Sequence, residues 1–272
     1  MNLPAHHKRL VTALLLSAGV AIAIHFGGWT MRIAILLVST LATLEFCAMY
    51  WPGGVSGGKK ILALCLGALV LLSQAVSPMW TLAAVCLSFW AVALAFLFDY
   101  GRGNTDARLG HYSPVLHSLL YIPLVLQLAL YLSPAEQCLI VLAAIASDAG
   151  GYYAGTLIGK RKLWPAVSPK KTWAGLFGGL LLCLVICAVH GTVGNAVHWR
   201  LPVLPLWAWL LVGLVLNQAA LFGDLFESAI KRTLDVKDSG TLLPGHGGIL
   251  DRIDSLLFAL PAYMAIRLFI AP

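Results

Sequence analysis

Residues 223–255 read GDLFESAIKRTLDVKDSGTLLPGHGGILDRIDS and hold most of the polar chemistry of this chain. Six of the eleven acidic residues lie in this stretch, although 60% of the whole chain is hydrophobic and only 11% is charged. Ionisable groups beside membrane-buried segments are costly, and where they occur they usually serve function. The stretch therefore predicts a membrane fold with a polar site at the adjoining ends of two apolar segments.

The acidic residues repeat one spacing on either side of a glycine-rich segment. Asp224, Glu227, Ser228 and Lys231 fall at i, i+3, i+4 and i+7, which is one face of a helix. The first three offsets recur at the start of the next apolar segment, in Asp251, Asp254 and Ser255. The segment between them, LPGHGG at 243–248, cannot continue a helix because a proline and three glycines break it. Oxygen ligands on two helix ends, with cations nearby, suit a divalent metal that holds a polyphosphate.

The composition defines the class of protein. The chain has 272 residues, a mean hydropathy of +0.87 and a formal net charge of +7. A soluble domain cannot bury so large a hydrophobic fraction, so we expect an all-α polytopic membrane protein. Helices are expected because no period-2 alternation is present and lipid does not tolerate unpaired backbone groups. Nine spans are predicted, at residues 10–26, 29–50, 60–76, 79–98, 112–132, 135–158, 172–190, 203–230 and 250–270.

The distribution of basic residues predicts the orientation. With a cytoplasmic N-terminus and nine crossings, fifteen of the eighteen Lys and Arg residues fall on the cytoplasmic side, as the positive-inside rule requires. These charges lie in short loops between apolar spans, so we expect no nucleic acid partner. The polar loops at 160–171 and 231–249 then face the cytoplasm, where nucleotides are found. The basic N-terminus before Leu10 lacks a small-residue cleavage site, so we expect it to stay attached to a first membrane helix.

A second polar region precedes the acidic stretch. Asp148 lies in the sixth predicted span among glycines and alanines, where a site residue and a structural carboxylate both remain open. The segment 168–172 reads SPKKT, and we expect Ser168 to cap the helix of the seventh span with Pro169 in its first turn. Two lysines on a first turn oppose the helix dipole, which favours a bound anion; a positive-inside anchor is the alternative.

The first half of the chain carries little chemistry. Glu45 is its one clearly intramembrane acid, and a hydrogen-bonded structural carboxyl and a site residue are equally open there. We therefore divide a single integrated membrane domain into N-terminal helices over residues 1–110 and a C-terminal catalytic region over residues 111–272.

These motifs resemble those of a known family. The motifs are SxxKR at 228–232, KDSG at 237–240, PGHGG at 244–248 and DRxD at 251–254. Together they resemble the pattern of the phosphatidate cytidylyltransferases, also called CDP-diacylglycerol synthases. The segment SPKKTWAG at 168–175 is similar to that family's SPKKTWEG, with Ala174 in place of the glutamate.

The resemblance implies a reaction and a place for it. CTP and phosphatidate would give CDP-diacylglycerol and pyrophosphate, with Mg²⁺, for phospholipid biosynthesis. The site would lie at the cytoplasmic face of a bacterial inner membrane, and a homodimer is plausible. Such a transfer needs no protein nucleophile, so catalysis is expected from positioning and charge neutralisation.

The resemblance also suggests roles for individual residues. The catalytic candidates are Asp224, Lys231, Arg232, His246, Asp251, Arg252 and Asp254. The substrate-binding candidates are Asp148, Ser168, Lys170, Lys171, Thr172, Lys237, Asp238, Gly245, Gly247 and Gly248. The metal-ligand candidates are Asp224, Glu227, Asp251 and Asp254, and pairing with a lysine or arginine is the alternative for each.

Other functions share some of these features. A CTP-dependent prenol or dolichol kinase, or a cytidylyltransferase for another lipid phosphate, would also place a CTP site beside membrane helices. An ion-coupled transporter would account for Asp148 and for the glycine-interrupted spans. No inverted repeat of the polar motifs is visible in the sequence, which disfavours the transporter. An inactive protein of the same fold is the remaining alternative, suggested only by Ala174.

Overall fold

The protein is almost entirely helical. The structure, a computed structural model, describes residues 5–51, 57–103, 108–197, 201–243, 245 and 247–270. The helices in this part of the chain are α1 (Ala5–Phe26), α2 (Gly28–Tyr50), α3 (Gly57–Ser73), α4 (Pro78–Gly101), α5 (Ser113–Tyr121), α6 (Pro123–Leu126), α7 (Pro134–Leu157), α8 (Trp173–Ala196), α9 (Leu206–Thr233) and α10 (Leu250–Ile270). Short 3-10 turns lie at Leu109–His111 and Gln127–Tyr131, and β1 (Lys162–Trp164) pairs antiparallel with β2 (Ser168–Thr172). The predicted all-α membrane fold is confirmed apart from this hairpin.

Seven segments are long and apolar enough to cross a membrane. They are Gly28–Tyr50, Pro78–Gly101, Leu109–Tyr131, Pro134–Leu157, Trp173–Gly194, Leu206–Thr233 and Leu250–Ile270. The first and third predicted spans are helical too, but the apolar part of α1 covers only Leu10–Phe26, and α3 has 17 residues. Both fall short of the roughly 20 residues that a full crossing takes. The count of nine spans therefore stays a prediction.

The fifth predicted span is not one continuous helix. Helix α5 ends at Tyr121 and α6 begins at Pro123, with Ile122 between them at φ −109° and ψ −75°. A proline has no N–H to donate and disfavours helical backbone at the residue before it. The helix therefore breaks at Ile122 and resumes as a short turn.

The chain divides into two compact units. The first unit comprises Met1–Gly19, Gly28–Gln127 and Asp238–Leu250, and the second comprises Val20–Gly27, Leu128–Lys237 and Asp251–Pro272. The loop after α9 thus belongs to the first unit, while the helices on either side of it contribute to the second. The prediction that site chemistry begins after residue 110 concerns function and stays a prediction.

The first unit has an apolar core supplied by α2 to α5. Its buried members are Cys47, Ala63, Leu66, Val70, Ala84, Val92, Tyr112, Val115 and Leu119. At one edge of this core the Tyr112 hydroxyl donates a hydrogen bond to the Asp99 carboxylate. The Lys59 ammonium lies 4.4 Å from the centre of the Tyr112 ring. These contacts hold the start of α3 and the end of α4 against the residue that precedes α5.

The second unit is built on a very close approach of α7 and α8. A Cβ atom added at Gly150 would lie 2.4 Å from the Gly178 carbonyl oxygen, and one at Gly175 would lie 2.7 Å from the Gly151 carbonyl oxygen. Small residues at a helix interface allow such backbone contact inside a membrane, where van der Waals packing drives helix association. The run of glycines around Asp148 is therefore explained by packing against α8.

A buried glutamate ties α7 to α10. Glu136 forms a capping box with Ser133 at the start of α7, where the Ser133 N–H donates to Glu136 at 2.8 Å. Its other carboxylate oxygen accepts from the Tyr263 hydroxyl at 3.0 Å and lies 3.0 Å from Arg267 Nε. Since Glu136 is only 1% exposed, these donors compensate for removing its charge from water.

The hairpin corrects the expected start of the seventh span. Residues 168–172 form strand β2 rather than a helical turn, so Ser168 is not the helix cap and Pro169 is not in the first turn. The residue before a proline disfavours helical backbone, which accounts for the extended conformation here. Helix α8 begins only at Trp173.

Thr172 is the residue that caps α8. It is extended, at φ −130° and ψ 157°, and its Oγ1 accepts a hydrogen bond from the Gly175 N–H at 3.1 Å. Lys170 and Lys171 therefore precede the cap and lie on the strand. The argument that two lysines on a helical first turn favour a bound anion was wrong, although both lysines remain site candidates.

Candidate functional site

The second unit gathers eight charged side chains from the C-terminal halves of α7 and α9, from β2 before α8, and from the start of α10. They are Asp148, Lys171, Asp224, Glu227, Lys231, Asp251, Arg252 and Asp254. We call these eight residues the charged cluster. All eight are site candidates by sequence, and folding brings them together from four separate elements.

The first contact in the charged cluster joins the hairpin to α9. Lys171 Nζ lies 2.5 Å from Asp224 Oδ2, and the two side chains are 26% and 29% exposed. The Ser228 hydroxyl, one turn along α9, donates to Asp224 Oδ1 at 3.3 Å. Both oxygens of Asp224 are thus held, which orients the carboxylate.

The second contact joins the end of α9 to the start of α10. Lys231 Nζ lies 2.9 Å from Glu227 Oε2 and 2.6 Å from Asp251 Oδ1. Glu227 and Lys231 are four residues apart on one helix face, as their sequence spacing predicts. One ammonium group therefore compensates two carboxylates that come from different helices.

Two carboxylates in the charged cluster are deeply buried and face each other. Glu227 is 1% exposed and Asp254 is 9% exposed, and their charges interact. Glu227 Oε1 is buried with no hydrogen-bond donor among the residues that the structure describes. An unsatisfied carboxylate oxygen beside a second carboxylate is costly without a further cation or proton.

Glycine packing brings α9 and α10 together at this point. A Cβ atom added at Gly223 would lie 2.3 Å from the Asp254 carbonyl oxygen. The residue before Asp224 must therefore be small, so that the carboxylates of the two helices can approach. The glycine at the head of the 223–255 stretch is explained by this contact.

Asp148 and Asp224 lie at equal depth along their helices. Each is nine residues from the last residue of its helix, Leu157 or Thr233, which is about 14 Å along the axis at 1.5 Å per residue. The Asp148 charge interacts with Lys171, Asp224 and Arg252. The structure therefore places Asp148 in the charged cluster, beyond its part in helix packing.

A polar contact that the sequence analysis missed supports this region. The Ser147 hydroxyl donates to Asn217 Oδ1 at 2.8 Å and links α7 to α9 next to Asp148. Both residues are buried. The available signal was the amide pair Asn217 and Gln218 within an apolar stretch of α9, since a buried amide in a membrane helix needs a polar partner.

The charged cluster holds more acidic than basic side chains. Five carboxylates and three cations give a difference of two negative charges when all are ionised. Hard carboxylate oxygens are the donors that Mg²⁺ and Ca²⁺ prefer. In the described part of the chain, however, no three His, Cys, Asp or Glu side chains converge as a ready ligand set. Lys171 and Lys231 contact the carboxylates instead.

The remaining candidates of the second unit lie on β2 and at or beyond the end of α9. Ser168 is half-buried and Lys170 is exposed on β2. Thr172 is buried and engaged as the helix cap. Arg232 and Lys237 are exposed at and beyond the end of α9. Their roles in binding substrate stay predictions.

The glycine-rich loop belongs to the first unit. The Leu243 N–H donates to the Gly247 carbonyl at 2.9 Å, which closes a tight turn. Gly245 and Gly247 have φ values of 80° and 78°, a region that favours glycine. Asp238, at the start of this loop, is exposed. Pro244 and the predicted catalytic residue His246 lie outside the described residues.

Glu45 is a buried, hydrogen-bonded carboxyl, the first of the two possibilities left open by the sequence. It is 8% exposed and accepts hydrogen bonds from Ser239 and from the N–H groups of Ile249 and Leu250. The hydrogen-bonding partners of this carboxylate lie in the polar stretch that follows α9.

Fold and charged cluster together define an integral membrane protein, nearly all helical, with an acidic and basic site in its C-terminal helices. The chain belongs to the cytidylyltransferase family, whose model matches residues 7–270. The family predicted from the motifs is thereby confirmed.

Individual relatives carry a more specific name. A phosphatidate cytidylyltransferase of Bacillus subtilis is 48% identical over 124 residues, which cover 45% of this chain and 44% of that protein. One of Staphylococcus haemolyticus is 39% identical over 180 residues, covering 66% and 56%. One of Haemophilus influenzae is 34% identical over 200 residues, covering 68% and 67%. In these alignments the chain spans less than half of the first relative and two thirds of the last.

Proposed function

We propose that this protein transfers the CMP moiety of CTP to phosphatidate and so forms CDP-diacylglycerol and pyrophosphate for phospholipid synthesis. The observation that carries the proposal is the charged cluster in a chain of the cytidylyltransferase family. Its cations suit a triphosphate and a lipid phosphate, and its carboxylates suit a divalent cation. The named activity of the relatives supports the same substrates.

The reaction is a displacement at phosphorus. An oxygen of the phosphatidate phosphate attacks the α-phosphorus of CTP and forms the new P–O–P bond. The bond between the α-phosphorus and the α,β-bridging oxygen breaks, and pyrophosphate leaves with its electron pair. Both reactants are anionic, so the protein has to hold them in line and neutralise their charge.

The cations of the charged cluster serve this neutralisation. Lys171 and Lys231 contact carboxylates in the structure, and a bound triphosphate competes for the same ammonium groups. Each lysine can donate to a phosphate oxygen while it stays near its carboxylate, since an ammonium has three donors. Lys170, Arg232 and Arg252 extend the positive surface toward the two substrates.

The carboxylates fit a divalent cation by donor chemistry and by charge. Asp224, Glu227, Asp251 and Asp254 are the residues that would hold it, and Glu227 Oε1, which has no hydrogen-bond donor in the described part of the chain, offers an oxygen for it. A bound Mg²⁺ supplies charge neutralisation on the triphosphate and on the leaving pyrophosphate. Asp148, on α7, interacts electrostatically with Lys171, Asp224 and Arg252 of the same cluster.

The site faces the cytoplasm of a bacterial inner membrane in this proposal. The excess of Lys and Arg on one side of the predicted spans supports that orientation, and CTP is available only there. The apolar helices allow a diacyl lipid to enter from the bilayer while its phosphate stays at the interface. A homodimer stays a prediction, which the mass of the protein in nanodiscs would test.

The test is label transfer with purified protein in detergent, phosphatidate and Mg²⁺. CTP labelled at the α-phosphate should pass its label to the lipid, with an equal amount of pyrophosphate released. Asp251→Asn should abolish this transfer in folded protein. Asp235→Asn is the matched control, because Asp235 is exposed, lies outside the predicted site and has φ 53°, which asparagine tolerates.

Other outcomes identify the competing functions. Transfer of label from γ-labelled CTP to a prenol would establish a lipid kinase instead. Folded protein that binds CTP but transfers neither group to any lipid phosphate would point to an inactive family member. A transporter gives no reason for CTP with Mg²⁺ to raise the temperature of unfolding.

A further inference from the structure

Glu45 lies on α2 and interacts with a segment about 200 residues further along the chain. Its Oε1 accepts a hydrogen bond from the Ile249 N–H at 3.0 Å, and its Oε2 accepts one from the Leu250 N–H at 2.9 Å. The Ser239 hydroxyl donates to Oε2 at 3.2 Å. All three donors and Glu45 belong to the first unit.

The two N–H groups are those that a helix start leaves without partners. Helix α10 begins at Leu250, and the first four N–H groups of a helix have no acceptor within it. A serine, threonine, aspartate or asparagine usually caps such a start, yet Gly248 and Ile249 precede Leu250. A carboxylate from another helix takes over this capping, and its charge also complements the helix dipole.

Two glycines of the loop leave room for this carboxylate. A Cβ atom added at Gly240 would have three atoms of Glu45 as its nearest neighbours, at 2.6, 2.8 and 2.9 Å. A Cβ at Gly248 would lie 2.4 Å from Glu45 Oε2 and 2.1 Å from Ser239 Oγ. Neither glycine has a positive φ, so space rather than backbone conformation requires glycine here.

The glycines of the loop therefore have two different causes. Gly245 and Gly247 have positive φ values and shape the turn, whereas Gly240 and Gly248 accommodate Glu45. Gly240 and Gly248 are thus explained by contact with Glu45, a residue far outside the motif in the sequence.

We propose that Glu45 is a positioning residue for CTP binding. Its carboxylate binds Ser239 at one end of the loop and Ile249 and Leu250 at the other, and so holds the two ends in place for binding of the nucleotide phosphates. The proposal rests on the proposed cytidylyl transfer and on the predicted role of Gly245, Gly247 and Gly248 in substrate binding, here taken as contact with the phosphates of CTP. Glu45 itself touches no substrate and acts through the loop.

The first test compares kinetic constants of the full chain in nanodiscs. Glu45→Gln keeps the shape of the side chain but turns one acceptor into a donor that faces a backbone N–H. The KM for CTP should rise about tenfold or more, because a charge-assisted hydrogen bond at the loop is lost. The KM for phosphatidate should change less than about twofold, because the loop glycines are taken to contact CTP in this proposal. A general loss of fold would lower activity toward both substrates alike.

A matched control separates positioning from stability. Glu136→Gln also alters a buried glutamate that caps a helix start, but in the second unit and away from the charged cluster's contacts. It should lower the temperature of unfolding and leave the KM for CTP unchanged. If Glu45→Gln behaves in the same way, Glu45 is only a structural cap and the proposal is overturned.

A double-mutant cycle tests the contact itself. Gly240→Ala alone should raise the KM for CTP, because the new methyl group displaces the Glu45 carboxylate. In Glu45→Ala the three atoms nearest that methyl group are absent, so adding Gly240→Ala should cause no further rise. Additive effects of the two substitutions would contradict the proposed contact.

Amide hydrogen exchange distinguishes failure of this inference from failure of the proposed function. Exchange at Ile249 and Leu250 should be at least about tenfold faster in Glu45→Ala than in the parent protein, since their acceptor is removed. Unchanged exchange refutes the anchoring of the loop, whatever the activity. Absence of transfer by the parent protein refutes cytidylyl transfer. In that case the rise in unfolding temperature on adding CTP, compared between the parent protein and Glu45→Ala, still shows whether Glu45 affects nucleotide binding.

Discussion

Lys171 and Asp224 form an ion pair of 2.5 Å that connects the hairpin before α8 to the C-terminal half of α9. Both side chains are more than a quarter exposed, so water screens the pair and its contribution to folding is small. The Ser228 hydroxyl holds the second oxygen of Asp224. This ion pair contributes little to stability, yet both oxygens of Asp224 are held in place. A role in substrate binding explains that arrangement better than a role in folding.

Lys171→Met should therefore impair transfer more than stability. We expect kcat/KM for CTP to fall by about 10²-fold or more, as when one preorganised charge donor is removed. The unfolding free energy should change by less than about 1 kcal/mol. Lys160→Met, an exposed lysine of the same loop outside the predicted site, is the control. A variant with normal kinetics would remove Lys171 from the site.

Lys231→Met should damage both stability and transfer. Glu227 is 1% exposed, and removing one partner of a buried pair leaves a buried charge that costs about 3–5 kcal/mol. We expect a much lower temperature of unfolding and almost no turnover. Circular dichroism during heating and label transfer at a permissive temperature measure the two effects.

A second substitution separates these effects of Lys231. Lys231→Met combined with Glu227→Gln removes the more deeply buried of the two carboxylate charges that Lys231 compensates, and should recover part of the lost stability. Turnover should stay low, since the ammonium proposed to neutralise phosphate is still missing. Recovery of turnover along with stability would show that Lys231 serves only the fold.

Gly150 and Gly151 should respond very differently to one methyl group. Gly150→Ala places a Cβ 2.4 Å from the Gly178 carbonyl oxygen, so α7 and α8 must separate. Gly151→Ala meets its nearest atom, the Gly175 carbonyl oxygen, at 3.6 Å, which is ordinary contact. Overpacking costs about 1–3 kcal/mol or more, so the first variant should unfold at a clearly lower temperature and the second should not. Equal unfolding temperatures would contradict the close approach of these helices.

The membrane fold and the residues that form the charged cluster could be predicted from the sequence. Apolar runs of about 20 residues predict helices because a bilayer leaves the backbone no other partner. The offsets at Asp224, Glu227 and Lys231 predict one helix face, and the structure places all three in the charged cluster. The pairing of particular cations with particular carboxylates was not predictable, because spacing along one helix says nothing about its neighbours.

The start of α8 shows why local signals were insufficient. Ser168 and Pro169 carry the features of a helix start, but the strand pairing with β1 takes precedence over them. Thr172 provides an equally good cap four residues later, with β-branched geometry that suits the extended backbone. Serine and threonine stabilise a helix start by similar amounts, so a few tertiary contacts are enough to decide whether Ser168 or Thr172 is the cap.

Glu45 marks a second limit of sequence reasoning. A single acid in an apolar helix predicts a polar partner but does not say where in the chain that partner lies. Two of the three donors to Glu45 are backbone N–H groups, which every residue except proline possesses, so side-chain patterns carry no trace of them. The trace in the sequence is the glycines at 240 and 248, where a side chain would collide with the Glu45 carboxylate.

Removal of divalent cations tests the excess of negative charge in the site. EDTA should abolish label transfer, and Mg²⁺ should restore it, because five carboxylates face only three cations. Asp254→Asn removes one of those charges and should raise the Mg²⁺ concentration for half-maximal transfer by about tenfold, since hard cations bind through anionic oxygen. The stabilisation that CTP gives against heat should show the same shift in Mg²⁺ dependence, which provides a readout without turnover.

Glu136→Gln is the control, because Glu136 is a buried carboxylate of the same unit away from the cluster. It should leave both Mg²⁺ dependences unchanged. Full transfer in EDTA would mean that Lys171, Lys231 and Arg252 neutralise the triphosphate alone, and that the carboxylates serve to orient them.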